Sequence, residues 1–64
     1  MITEDDFRPV FGDESGDALK RAKFYLTRQG VIWDKCTFAQ TDKRTILISG
    51  PNEAGEVWDW ADRP

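Results

Sequence analysis

The sequence predicts a small α+β domain in which helices precede an antiparallel sheet. An apolar pattern of helical period covers residues 17–29, and short β-branched and aromatic runs separated by turn residues follow Gly30. The chain of 64 residues has room for one domain, because a domain of this size buries only about 60% of its unfolded surface. We therefore expect a single domain over residues 1–64, with a short N-terminal helix, one longer amphipathic helix and a two- or three-stranded antiparallel sheet that the helices cover on one face.

The first helix is predicted from the residues at its ends. Thr3 precedes Asp6 by three residues, which makes an imperfect capping box. Pro9 limits this helix to a turn or two, and Gly12 ends it. Three apolar residues are spaced to face a core, namely Phe7, Val10 and Phe11.

The longer helix carries the clearest periodic signal, and the polar segment 13–17 precedes it. At about 100° per residue its core-facing residues fall within an arc of roughly 120°. They are Ala18, Leu19, Ala22, Tyr25 and Leu26. Arg28 near the end of this helix complements the helix dipole, and Gly30 suits the left-handed position after the last turn.

The sheet is predicted from apolar runs at residues 31–33, 45–48 and 56–60, with a hairpin turn at 40–43. The tail 61–64 is expected to fray. Trp58 and Trp60 project to the same side of their strand. We expect these two indoles to fill the core beneath the helices, although a stacking platform for single-stranded nucleic acid is an alternative.

Charge is segregated along the chain. Residues 1–18 carry six acids and one base, residues 19–44 seven bases and two acids, and residues 45–64 four acids and one base. The longer helix and the hairpin tip therefore form a basic block within a chain of net charge −3.

Composition excludes several classes of chemistry. The chain has no histidine and one cysteine, which excludes histidine-based catalysis, Cys/His zinc sites and an intramolecular disulfide. Cys36 is expected to be a small buried residue of a strand. We expect a non-enzymatic protein without metal or cofactor, in a reducing cytoplasmic setting. No apolar run approaches the roughly 20 residues of a membrane span, so no membrane partner is expected.

One segment is similar to a phosphate-binding loop. Gly50 and Gly55 have the spacing of that motif, but Glu56 stands where the motif needs a lysine. We interpret residues 50–55 as a hairpin loop of turn-forming residues.

The outer face of the longer helix, opposite the core stripe, contains an aromatic residue among bases. It carries Lys20, Arg21, Phe24, Thr27 and Arg28, with Lys23 also on this helix. Phe24 can stack on a nucleobase or pack on a partner protein. The alternative is that the N-terminal helix folds over Phe24 and makes it a core residue.

Two segments resemble small phage-encoded DNA-binding proteins of the excisionase type, which have a winged-helix-like fold. They are residues 3–12 and residues 24–33, the second with an aromatic-Leu-x-Arg-x-Gly pattern that leads into a strand. The resemblance implies that the longer helix enters the major groove and that a hairpin wing contacts the DNA backbone. Carried onto this chain, it implies contacts from Lys20, Arg21, Lys23 and Arg28 on the helix and from Lys43 and Arg44 on the wing.

Two functions of different classes follow. The first is a phage- or mobile-element-type accessory protein that binds double-stranded DNA through the basic block, with Lys20, Phe24 or Thr27 reaching base edges. The second is a small acidic inhibitor that binds a host enzyme or defence complex, of the anti-restriction or anti-CRISPR type. DNA binding requires the bases of helix and hairpin tip on one continuous surface, whereas protein binding requires an exposed apolar patch or an acidic face. A homodimer is compatible with either function.

Overall fold

The computed structural model describes residues 1–64 and has the predicted α+β arrangement. Helix α1 spans Glu4–Phe11, a 3₁₀ turn spans Gly12–Glu14, helix α2 spans Ser15–Arg28, and a second 3₁₀ turn spans Trp33–Lys35. Strands β1, β2 and β3 span Thr37–Asp42, Thr45–Pro51 and Val57–Asp62. They form one antiparallel sheet in the order β1-β2-β3, so β2 is central and β1 and β3 are the edges.

Helix α1 has the predicted start and length. The backbone N–H of Thr3 donates to the Asp6 carboxylate at 2.9 Å, which is one half of the capping box. Pro9 lies inside the helix, which ends two residues later at Phe11. Gly12 has a φ of 55°, a conformation that favours glycine. The chain turns there, and the Glu4 side chain lies against Gly16 at the start of α2.

Helix α2 begins earlier than the sequence pattern predicts. The segment 13–17 is helical, because the 3₁₀ turn after Gly12 runs directly into α2 at Ser15. The Ser15 side chain is buried, and its hydroxyl donates to the Gly12 carbonyl oxygen at 2.6 Å. This hydrogen bond satisfies the Ser15 hydroxyl, which would otherwise oppose burial of the turn between α1 and α2. At the other end Gly30 has a φ of 79°, as its position after the helix predicts.

The predicted strand at 31–33 is wrong. Val31 forms an isolated bridge with Asn52, and the Ile32 N–H donates to the Pro51 carbonyl oxygen. The chain then closes a 3₁₀ turn at Trp33–Lys35, so Cys36 lies between this turn and β1. The first hairpin turn is also shifted, since β1 continues to Asp42 with a register shift between Gln40 and Asp42.

The core lies between the helices and one face of the sheet. Side chains of β2 alternate between the two faces, and Ile46, Ile48 and Gly50 are buried on the helix side. The buried apolar residues are Ile2, Phe7, Phe11, Ala18, Ala22, Leu26, Val31, Ile46 and Ile48. The predicted stripe of α2 is therefore largely confirmed, with Leu19 half-buried and Tyr25 more exposed.

The C-terminal strand is longer than predicted. Ala61 and Asp62, expected to fray, pair with Leu47 and Ile46 of β2. Asp62 also bonds to Arg21 of α2, which fastens the end of the chain to the helix.

Candidate interaction surface

The outer face of α2 exposes most of the residues that the sequence singles out for binding. Lys20, Lys23, Thr27 and Arg28 are all exposed there. The Thr27 hydroxyl lies 2.6 Å from the Lys23 carbonyl oxygen and 3.2 Å from that of Phe24, so it donates back into its own helix. Its proton is therefore engaged within the helix, and only its acceptor lone pairs are free for a ligand.

Arg21 has a role within the fold. Its Nε and Nη2 atoms donate to the Asp62 Oδ2 atom at 2.9 and 2.7 Å. Its guanidinium also lies 5.8 Å from the centre of the Phe11 ring. These contacts join α1, α2 and β3, so the charge of Arg21 is already paired.

Lys43 and Arg44 lie at the far end of the molecule from Arg28. The Arg28 end of α2 adjoins the end of β2, where Gly30 approaches Asn52. Lys43 and Arg44 form the turn before the first residue of β2. The seven residues of β2 cover about 20 Å, at ~3.4 Å per residue, between these two ends. Arg28 is thus separated from the hairpin tip, whereas Arg21, which binds Asp62 opposite Ile46, lies toward the end of β2 that carries the tip.

Four aromatic side chains extend from the outer face of α2 onto β3. The Phe24 and Tyr25 ring centres are 5.5 Å apart at an edge-on angle of 78°. Tyr25 stacks on Trp60 at 4.8 Å with 16° between the ring planes. Trp58 lies two residues before Trp60 and therefore projects to the same side of β3. We call these residues, together with Arg28, the α2–β3 aromatic surface.

This surface is substantially open to solvent. The exposed fractions are 55% for Phe24, 43% for Tyr25 and 39% for Trp58. The interpretation that α1 covers Phe24 is therefore wrong, because α1 turns back toward the start of α2 and Phe24 lies on its outer face. Trp60 is half-buried and packs against the core, as expected, whereas Trp58 is only partly covered.

Arg28 extends the aromatic surface with a cation. Its guanidinium carbon lies 5.3 Å from the centre of the Phe24 ring, one helical turn away. This cation–π contact, of about 0.5–1 kcal/mol at an exposed position, holds both side chains in place. Arg28 is thus positioned beside an apolar surface with no carboxylate bound to it.

A shallow groove of about 160 Å³ separates α2 from β3 on this surface. Its lining consists of Tyr25, Leu26, Gln29, Trp58, Asp59 and Trp60. The Trp60 Nε1 atom is the one buried side-chain nitrogen or oxygen without a hydrogen-bond partner.

The remaining chemical candidates are parts of the fold. Gly50, the first glycine of the phosphate-loop-like segment, is buried in β2, and the Asn52 side chain accepts hydrogen bonds from the Ala54 and Glu56 N–H groups. That segment is therefore a hairpin turn. Cys36 is half-buried against Gly50, and burial raises the pKa of its thiol. No three acidic or cysteine side chains lie together in a way that could hold a metal ion.

Asp42 organises the first hairpin turn. Its carboxylate accepts a hydrogen bond from the Arg44 backbone N–H at 2.8 Å, which lowers the pKa of Asp42. This bond shapes the turn that presents Lys43 and Arg44 to solvent. No helix has both the length and the apolar composition needed to cross a membrane.

Comparisons with protein-family models, with curated proteins and with solved structures give no match for this chain. The sequence pattern singles out Phe24 and the two tryptophans separately, but it assigns Tyr25 to the core stripe, whereas Tyr25 lies at the surface. The signal for Tyr25 was weak, because it lies at the margin of the core stripe, where burial depends on what packs beside the helix.

Proposed function

We propose that this protein is a binding module that recognises another protein through the α2–β3 aromatic surface. One observation carries the proposal: Phe24, Tyr25 and Trp58 are 39–55% exposed and contiguous, in a domain whose buried apolar core has only nine residues. Aromatic residues and arginine are the side chains that most often anchor protein interfaces. Arg28 stacked on Phe24 adds such an anchor to the aromatic set.

The exposed area is large enough to contribute to binding. Each buried aromatic side chain covers about 150–250 Å², so three rings at roughly half exposure leave on the order of 300 Å² for a partner. This is comparable to the largest apolar patch of a typical monomer, about 300–600 Å², which is often functional. A module of this kind acts by occupying a surface of its partner, as an inhibitor of an enzyme or of a defence complex does.

The test compares the affinity of the partner for variants in which exposed side chains on two different surfaces are replaced by serine. Phe24→Ser and Trp58→Ser remove the two ends of the aromatic surface, while Lys43→Ser with Arg44→Ser alters only the distant hairpin tip. A partner captured by cross-linking is purified, and its Kd is measured by calorimetry. We expect each aromatic variant to weaken binding by tenfold or more, about 1.4 kcal/mol, and the tip variant to bind as wild type.

The proposal fails if the partner binds the aromatic variants as tightly as wild type. It also fails if the tip variant loses as much affinity as they do, since the contact would then lie elsewhere. A folded state must be verified for each variant by circular dichroism.

Duplex DNA is the second candidate, favoured by the exposure of Lys20, Phe24 and Arg28 along the outer face of α2. It is the function that the resemblance to excisionase-type proteins implies. With only Lys20, Lys23 and Arg28 on phosphates, log Kd would change with log salt with a slope of about 2.7, at about 0.9 per phosphate. Contacts from Lys43 and Arg44 as well would raise that slope to about 4.5.

Fluorescence anisotropy with a mixed-sequence duplex, at low and at physiological salt, separates the two candidates. The DNA candidate predicts binding that Lys20→Ala with Arg28→Ala abolishes and that Trp58→Ser leaves unchanged. The protein-binding proposal predicts no salt-dependent duplex binding by the wild type.

A further inference from the structure

We propose that the free edge of β3 accepts an extended segment of the partner protein as a fourth strand, and that this segment has the pattern apolar-basic-apolar. The inference rests on the proposed function and adds the binding mode and the chemistry of the bound segment. Strand addition of this kind obtains affinity from backbone hydrogen bonds and specificity from alternate side chains.

The edge of β3 is open for pairing. β3 pairs with β2 over six consecutive positions and has no neighbour on its other side. Alternate backbone N–H and C=O groups of an edge strand face away from the sheet. Edge strands are usually protected by a bulge, a proline or charged side chains, especially lysine. The strand Val57–Asp62 has no bulge, proline or lysine, and its only charged side chains are Asp59 and Asp62, whereas β1, the other edge, has the register shift between Gln40 and Asp42.

The side chains beside this edge select apolar residues. Trp58 and Trp60 project toward the helices, so residues of an added strand opposite them would lie on the same side, next to the groove. A groove of about 160 Å³ is smaller than the roughly 300 Å³ of the smallest drug-sized ligand pockets. It suits one apolar side chain, which Tyr25 and Trp58 would contact.

The charge of β3 selects the residue between the two apolar ones. Asp59 lies between the tryptophans and projects to the opposite face of the sheet, where its neighbour on β2 is Ser49. No basic side chain is bound to Asp59. Opposite charges at facing positions of neighbouring strands contribute roughly 0.2–1 kcal/mol. A lysine or arginine facing Asp59 is therefore the favoured choice.

The same charge argues against a second copy of this chain as the occupant. Antiparallel pairing of two β3 strands centred on residue 59 would place the two Asp59 carboxylates at facing positions, and each chain has a net charge of −3. Like charges at facing positions destabilise a strand pair. A partner segment with a base at this position avoids that repulsion.

The probe is a blocked heptapeptide, Thr-Lys-Ile-Lys-Ile-Lys-Thr, added at millimolar concentration to the ¹⁵N-labelled protein. A scrambled peptide of equal composition controls for charge. A peptide N-methylated at the backbone amides that would donate hydrogen bonds to β3 controls for strand pairing. We expect shifts at the amides of residues 57–62 and at the Trp58 indole. N-methylation and scrambling should each weaken binding by about tenfold or more.

A charge exchange tests the pattern. Asp59→Lys should weaken binding of the lysine-centred peptide by about threefold to tenfold, and a glutamate-centred peptide should bind that variant better than it binds wild type. Asp59 is exposed, so its replacement leaves the core intact.

Three results would overturn the inference. They are an absence of shifts in β3, equal binding of the N-methylated peptide, and β3-dependent dimerisation of the protein alone in sedimentation. Each leaves the proposed function standing if capture of the natural partner still depends on Phe24 and Trp58. Loss of that dependence would instead refute the proposed function itself.

Discussion

Arg21 on α2 donates two hydrogen bonds to one carboxylate oxygen of Asp62, 41 residues away on β3, at 2.9 and 2.7 Å. The side chain of Asp62 is 17% exposed and that of Arg21 is 42% exposed. Partial burial makes this pair stronger than a fully exposed one, for which the median contribution is about 0–1 kcal/mol. The contact explains why the C-terminal residues of the chain are held in the sheet.

The Arg21–Asp62 pair should show measurable coupling. We expect Arg21→Ala to lower the free energy of unfolding by about 1–2 kcal/mol, because it also loses the contact with Phe11. A double-mutant cycle with Asp62→Ala should give a coupling energy of about 1 kcal/mol. Urea unfolding measures both, and Lys20→Ala, which removes an unpaired charge from the same helix, should change stability by less than about 0.5 kcal/mol. Zero coupling would show that the pair does not fasten β3.

Gly50 and Gly16 should respond in opposite ways to alanine. A Cβ at Gly50 would lie 2.5 Å from the Cys36 sulfur and 3.1 Å from the Cys36 Cα, so backbone must move. We expect Gly50→Ala to cost about 1–3 kcal/mol, as overpacking does.

At Gly16 the only close atoms belong to the flexible Glu4 side chain. Gly16→Ala should therefore stabilise α2 by about 0.4–1 kcal/mol. Thermal and urea unfolding of both variants measures the contrast. Equal effects of the two substitutions would refute the close packing of Cys36 on Gly50.

Two phenylalanines should separate folding from binding. Phe7 is fully buried and packs on Phe11 and Phe38, so Phe7→Ala should cost about 3–5 kcal/mol and leave much of this small domain unfolded. Phe24→Ser should change the free energy of unfolding by less than about 1 kcal/mol, because Phe24 is more than half exposed and loses only its contacts with Arg28 and Tyr25. Circular dichroism with urea titration measures both. A large loss of stability in Phe24→Ser would mean that Phe24 is a structural residue.

The thiol of Cys36 should react slowly in the folded protein. Burial raises its pKa, so the folded state disfavours the thiolate. The free energy of unfolding should therefore fall with rising pH in this range. The contribution of Cys36 to stability is complete below the unfolded pKa, near 8.5, and is lost as pH rises through the higher folded pKa. We expect alkylation by iodoacetamide at alkaline pH to be slower in the native protein than in urea. Cys36→Ser should remove this component of the pH dependence of unfolding, and equal native and denatured rates would contradict the predicted shift.

The sequence by itself determined the fold class, both helices and the strands β2 and β3, but not β1. Local signals decided them: Thr3 and Asp6 begin α1, Gly12 ends it, the 3.6-residue period defines α2, and Gly30 stops it. These signals depend on interactions within a few residues, so they need no knowledge of the fold. The period of two along residues 56–60 likewise predicted that Trp58 and Trp60 project to the same side of their strand.

Boundaries that depend on distant partners could not be predicted in this way. Val31 and Ile32 have strand-like side chains, but their partners are Asn52 and Pro51, which allow one bridge before the chain turns. Asp62 belongs to β3 because Arg21 binds it and Ile46 pairs with it.

Only the tertiary structure decided where the basic and aromatic residues lie relative to each other. Lys43, Arg44 and Arg28 are part of one basic block in the sequence, but β2 separates the hairpin tip from the end of α2 by about 20 Å at ~3.4 Å per residue. Tyr25 and Trp60 are 35 positions apart in the chain, yet they stack because β3 runs beside α2. Charge patterning along a chain is one-dimensional, whereas a binding surface depends on packing between elements that are distant in sequence.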